Sequence, residues 1–256
     1  MIPSFLQFFR RPKPLPDDIR IAIYSNYFGK HEPLNTSSMG KWVNVDKFIF
    51  TTDPDLQYPG AEVVVLPDDG KDPKIQTRRF KINPHQYFSE YDWVIQIDNR
   101  ASVRVHPVEI IAKIREWEKD SNWAGRYLFR HPERDCAYDE AKACVETGVL
   151  SEHKEREIAA FFESQRFPRN NGLFVNTMMV QKMGDVAADR FNETWYDLVQ
   201  TLCYRDQVSL SYALWKSGYR PRILPFEYSQ FIDWPVFSDE ERKQFRATNN
   251  FVFDCI

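Results

Sequence analysis

Residues 91–100 read YDWVIQIDNR. Trp93, Val94, Ile95 and Ile97 are the β-branched and aromatic residues of a strand buried on both faces, as in sheets flanked by helices. The run then stops on a carboxylate, an amide and a guanidinium: Asp98, Asn99 and Arg100. In open α/β sheets ligands bind outside the carboxyl ends of the strands, so a polar cluster at that place marks a candidate site. A solvated loop that opens on Asp, a turn-favouring residue, is the alternative these ten residues leave open.

Working outward, the same texture recurs. IRIAIYSN (19–26), VDKFIFTTD (45–53) and AEVVVLPDD (61–69) are apolar runs that end polar, as strands do. Asp72 followed by Pro73 predicts an N-cap and first-turn proline, and Pro84 stops that helix near Asn83. Amphipathic spacing predicts helices over 106–120 and 186–203, and further helices over 137–147, 152–165 and 206–216, the last ending at Gly218. NWAGRYLFR (122–130), GLFVNTMMVQK (172–182) and RILPF complete the strands. The alternation specifies an α/β fold, a mixed and mostly parallel Rossmann-type sheet with helices on both faces.

Composition sets the frame. The 256 residues suffice for one large α/β domain, and 20 Phe, 12 Tyr and 7 Trp indicate an aromatic-rich globule. A formal charge of -3 gives no general field for nucleic acid, so any anion is bound locally. Four cysteines show no metal-ligand spacing and read as reduced thiols of a cytoplasmic protein. Residues 1–18 read as a flexible leader, too short in apolar run for a membrane span and able at most to rest on the inner face of a membrane. Residues 19–256 read as a single domain, with 226–256 as a C-terminal extension whose Tyr228 and Trp234 are candidates for a lid.

On the helix before the opening strand, Lys74, Arg78 and Lys81 fall at i, i+4 and i+7. A cationic stripe beside Asp98 suits a nucleotide diphosphate, which needs several positive donors; a solvated helix face explains the stripe equally. Asn176 is a poor strand former inside a strand and needs partners if buried. Asp135 and Asp206 fall where N-caps are wanted. His131 before Pro132 also reads as a turn residue, Arg134 with Asp135 as a local ion pair, and His85 as a hydrogen-bonded helix stop.

Three blocks, KIQTRRFKINPHQYFSEYDWVIQIDNRASV, FRHPERDCAYDEAKACV and YRDQVSLSYALWKSGY, resemble the DUF616 family, the TOD1/MUCI70 glycosyltransferase-like domain, over roughly residues 20–225. That family is similar to GT-A glycosyltransferases, in which an Asp-x-Asp motif after a central strand holds a metal and a nucleotide-sugar. The resemblance implies that Asp98 is the first acid of this motif, that His131, Arg134 and Asp135 lie near the sugar, and that Asp206 and Gln207 face donor sugar and acceptor. Read with the strand end and the helix stripe, Asn99, Arg100, Lys74, Arg78, Lys81 and His85 are candidates to meet the donor, Asn176 to meet sugar or acceptor, and Asp206 and Asp135 to act in catalysis. Arg100 stands at the second acid, where a guanidinium can itself neutralise a diphosphate, and leaves Asp98 as the candidate ligand for Mn or Mg.

The resulting expectation is a glycosyltransferase that moves a sugar from a nucleotide-sugar to a glycan or lipid-linked acceptor in surface-polysaccharide assembly. The alternatives are a non-catalytic carbohydrate- or nucleotide-sugar-binding relative, and a hydrolase using Asp98 as nucleophile.

Overall fold

The computed structural model describes residues 19–118 and 123–249. The proposed leader lies outside these residues. In chain order the elements are β1 (Ile21–Asn26), β2 (Asp46–Thr51), β3 (Glu62–Val65), α1 (Pro73–Ile82), β4 (Trp93–Ile97), β5 (Ser102–Val103), α2 (Pro107–Trp117), β6 (Gly125–Arg130), α3 (Ala137–Glu146), α4 (Glu152–Ser164), β7 (Phe174–Lys182), α5 (Val186–Thr201), α6 (Asp206–Ser217), β8 (Arg222–Leu224), β9 (Ile232–Asp233) and α7 (Asp239–Thr248).

Seven strands form one sheet in the order β3-β2-β1-β4-β7-β6-β8. β1 pairs in parallel with β2 and β4, β2 with β3, and β6 with β8, whereas β7 runs antiparallel to both β4 and β6. The sheet is therefore the mixed, mostly parallel one that the strand–helix alternation predicts. From β1 the chain moves outward through β2 to β3, then returns through α1 to β4 on the other side of β1. The carboxyl ends of β1 and β4 thus flank the point where strand order reverses, the usual crevice for ligands in such sheets.

Alternate residues of the strands feed different layers. Ile23, Ile95 and Ile97 pack with Ile110, Ile111 and Ile114 of α2 on one face. On the other, Tyr24, Phe50 and Val94 pack with Phe80 of α1, and Leu128 and Met179 with Phe191 and Trp195 of α5 and Leu210 of α6. Every residue of β4 is buried, and each of its apolar side chains contributes roughly 1.5–3 kcal/mol relative to exposure. A third cluster joins α3, α4 and α6 through Tyr138, Ala141, Ile158, Phe162 and Tyr212.

Local chemistry sets the boundaries. The Asp72 carboxylate accepts from the Lys74 N–H at 2.7 Å, with Pro73 opening α1. Ser151 caps α4 by accepting from Lys154, and α6 ends at Gly218 with φ of 71°, a left-handed turn that glycine adopts without strain. Two expected caps differ. Arg205 is the N-cap of α6, with Asp206 its first helical residue, and Cys136 is the N-cap of α3, with Asp135 outside it.

No local pattern announces β5, β9 and α7. β5 pairs antiparallel with β9, and the Val236 N–H donates to the Arg100 carbonyl at 2.9 Å. The segment after residue 226 is thereby strapped back across the carboxyl edge of the main sheet. No helix among the described residues is long and apolar enough to cross a membrane.

Candidate functional site

At the reversal point the backbone of Asp98 donates to the Thr177 carbonyl at 2.9 Å, so the start of β7 lies beside the end of β4. Two chambers open there and share part of their lining. The first, about 240 Å³, is lined by Asn26 from the end of β1, by Lys74, Arg78 and Lys81 from α1, by Asp98, Asn99 and Arg100, and by Asn176 and Asp206. The second, about 770 Å³, is lined by His131, Arg134, Glu140, Tyr228 and residues of α7. Arg100, Arg205, Gln207, Trp234 and Arg242 border both. Ligand pockets commonly span roughly 300–1,000 Å³, so the second chamber alone has ligand size.

The cationic stripe of α1 is not a solvated face. Lys81 is 2 % exposed. Its ammonium lies 2.8 Å from Asp98 Oδ1 and 2.9 Å from Asp206 Oδ2, while Arg78 Nε lies 3.3 Å from the same Asp206 oxygen. Burial alone would push the Asp206 carboxyl up, but the charges of Arg78, Lys81 and Arg205 outweigh it and hold the group well below the usual carboxylate range. Asp206 is therefore a fixed anion of low basicity. The Asp98 side chain is 35 % exposed and open to the cleft, with Gln96 Nε2 donating to Oδ1 at 3.1 Å. Lys74 has its ammonium 4.9 Å from the Tyr204 ring centroid.

Asn176 carries a different message. It is 3 % exposed, it lines the first chamber, and neither atom of its carboxamide has a hydrogen-bond partner among the described residues. Leaving a buried polar group unpaired costs about 1–3 kcal/mol. Asn26 Oδ1 and Gln96 Oε1, on the same chamber, are buried and unpartnered too. A concentration of unsatisfied donors and acceptors at one cleft marks where a polar ligand completes the bonding.

Other expected residues fall differently. Asn99 spends its side chain internally, accepting from Asn35 N at 2.8 Å and donating to Glu32 Oε1 at 2.9 Å and the Pro33 carbonyl at 2.8 Å, so it fastens the 32–35 loop to the sheet. The Arg100 guanidinium meets Asp239 at 3.5 Å and the Phe237 carbonyl at 3.5 Å. Arg134 pairs with Glu140 at 2.9 Å and Glu133 at 3.5 Å in place of Asp135. Gln207 Nε2 donates to the Phe174 carbonyl at 3.1 Å.

His85 and Asp135 are not brought into the cleft. His85 lies behind α1 against α5, within 3.8 Å of Asp189 and 3.6 Å of Glu193, and Asp135 is exposed and lines neither chamber.

Sequence reasoning passed over Asn26, Glu32, Glu140, Arg205 and Arg242. Asn26 was open to the same logic as Asp98, as the polar last residue of an apolar strand. Arg242 reaches Glu32 at 3.1 Å across 210 residues of chain, a relation no local pattern encodes.

No group of three or more His, Cys, Asp or Glu among the described residues could hold a metal ion. Asp98 and Asp206 each direct an oxygen at the Lys81 ammonium, and the second position of the Asp-x-Asp motif is a guanidinium. The carboxylates of the cleft are thus faced by the protein's own cations.

A Rossmann-like sheet with a polar, cation-lined crevice at its reversal point gives the protein the architecture in which α/β proteins bind ligands at the switch point. Residues 63–250 match the family described as TOD1/MUCI70, glycosyltransferase-like domain, and the chain belongs to that family. The match starts later than the resemblance over roughly 20–225 and runs further, taking in the C-terminal strap and all of α7. None of the curated proteins matches the chain.

Proposed function

We propose that the protein is a glycosyltransferase that seats the diphosphate of a nucleoside-diphosphate sugar in the first chamber and passes the sugar to a glycan or lipid-linked acceptor entering through the second, in surface-polysaccharide assembly. The observation that carries this reading is the pairing of a cationic floor, Lys74, Arg78 and Lys81, with the orphaned carboxamide of Asn176 in one crevice at the sheet's reversal point. The floor supplies charge for a diphosphate, and the carboxamide offers both a donor and an acceptor to sugar hydroxyls. Asp98, exposed at the chamber wall, is the carboxylate placed to meet the sugar or ribose. Asp206 acts as the buried anchor that orders Arg78 and Lys81, because its depressed basicity suits no proton abstraction near neutral pH.

That same depressed basicity favours one competing reading, a nucleotide-sugar-binding relative without turnover. Thermal shift against UDP-, GDP-, dTDP- and CMP-sugars tests the donor claim, since a ligand of the folded state alone raises stability with the logarithm of its concentration over Kd. A diphosphate site gives shifts with the first three classes exceeding the shift with CMP-sugars, which carry one phosphate. Arg78→Ala reduces donor affinity about tenfold or more. Equal binding by wild type and Arg78→Ala removes the diphosphate assignment. Release of free sugar from the bound donor separates the enzyme from the binder.

A further inference from the structure

The second chamber has a charge pattern that the donor does not need. Arg100, Arg134, Arg205, Arg242, Lys243 and Arg246 line it against Glu133, Glu140 and Asp239, six cations facing three carboxylates. The acids are already engaged. Glu140, 4 % exposed, sits 2.9 Å from Arg134 Nε and 3.8 Å from Arg205, and Asp239 lies 3.3 Å from Arg242 and 3.5 Å from Arg100. Lys243 has no ion pair or hydrogen bond among the described residues, and the buried Nε–H groups of Arg100 and Arg205 have no acceptor.

The His131 ring gives an independent sign. Its Nδ1 receives the backbone N–H of Glu133 at 3.2 Å and of Arg134 at 3.1 Å, so Nδ1 is the acceptor and the proton of the neutral ring is on Nε2. Nε2 in turn lies 3.4 Å from Arg134 Nη2. Two donors therefore face one another at the chamber wall, an arrangement that an oxygen lodged between them resolves. Burial and the Arg134 charge keep the ring neutral, against the smaller pull of Glu140 and Glu133.

We infer that the second chamber is an anion subsite, which seats a carboxylate or phosphate of the acceptor between the His131–Arg134 turn and the basic face of α7. This deepens the transferase reading and rests on the donor occupying the first chamber. Trp234, 46 % exposed at the border of both chambers, offers a ring face to the neighbouring sugar.

The test follows the His131 ring by NMR in the full chain, assigned with His131→Asn, during titration with glucuronate, inorganic phosphate and glucose, each with and without saturating UDP. An anion between His131 and Arg134 stabilises the imidazolium, so the ring pKa rises by about one unit. Glucose leaves it unmoved. A rise with glucuronate alone identifies a carboxylate-bearing acceptor, a rise with phosphate alone a phosphate-bearing one, and a rise with both a general anion subsite. Lys243→Ala combined with Arg246→Ala weakens the anion about tenfold or more while UDP affinity is kept. The subsite is overturned when neither anion moves the ring, when glucose moves it equally, or when UDP abolishes the phosphate effect. Failure of the donor reading looks different: UDP then gives no thermal stabilisation while the His131 shift persists.

Discussion

Lys81 Nζ lies 2.9 Å from Asp206 Oδ2, with 3 % and 4 % of the two side chains exposed. One residue comes from the last turn of α1 and the other from the first turn of α6, so the ion pair bolts together the two helices that wall the first chamber. Removing one partner of a buried pair leaves the other charge without compensation, a loss of about 3–5 kcal/mol. Asp206→Asn therefore lowers Tm by roughly 6–20 °C at the few degrees per kcal/mol of a chain this size. Thermal unfolding decides it. Were Asp206 acting only through the helix terminus, Asn would serve nearly as well and Tm would hold.

The same pair sets a pH dependence. The Asp206 pKa is lowered in the folded state, so its stabilisation is fully present above the unfolded carboxylate value of about 3.9 and is lost as pH falls below it. Folded protein binds fewer protons than unfolded protein in that range, and stability drops with acid. Urea unfolding midpoints between about pH 5 and pH 2.5 should fall more steeply for wild type than for Asp206→Asn. Parallel slopes would show that another group carries the acid sensitivity.

With the Lys81 ammonium shared by Asp98 and Asp206, donor binding should survive chelation. Nucleotide-sugar affinity by calorimetry is expected to change less than about threefold in excess EDTA, with manganese adding little. A tenfold loss on chelation, reversed by manganese, would mean that the carboxylates leave Lys81 to bind an ion.

Asn176→Leu exchanges a buried, unpartnered carboxamide for an apolar group of similar size. An unsatisfied buried amide costs about 1–3 kcal/mol, so the variant is expected to match or exceed wild-type stability while binding the donor about tenfold or more weakly. Stability gained at the expense of function is common at sites preorganised for a ligand. A loss of stability would instead reveal an internal role for the amide.

Arg126, 1 % exposed, lies on the helix-packed face of β6. It donates to Asn192 Oδ1 at 2.5 Å and to the Ile82 carbonyl at the end of α1, and stands 5.3 Å from the Trp195 ring centroid. Burial pulls its guanidinium down to about 10. Arg126→Ala opens a cavity and strands two polar partners, so about 3–5 kcal/mol of stability is lost. Donor affinity in the protein that remains folded should stay within about threefold; a selective loss of affinity would place Arg126 in the site.

Local signals carried most of the fold. Continuous apolar runs marked β1, β2, β4 and β7 because strands covered on both faces have no polar side to alternate with. Asp72-Pro73, Ser151 and Gly218 marked helix ends because capping depends on residues a few positions apart. The short β5 and β9 and the helix α7 escaped. The first two are held by pairing across about 130 residues, and α7 buries no residue, so it leaves no core stripe to read.

For the site, sequence placed Asp98 at a strand end, Asn176 inside a strand and the α1 cations on one helix face, which is as far as periodicity reaches. Tertiary structure decided their states. The approach of α6 to α1 made Lys81 a buried counter-ion and Asp206 a weak base, and the returning C-terminal segment drew Arg100 toward Asp239 and set Arg242 against Glu32. Those outcomes depend on Coulomb energy and desolvation between groups far apart in the chain, and both vary with distances of a few ångströms that only packing fixes.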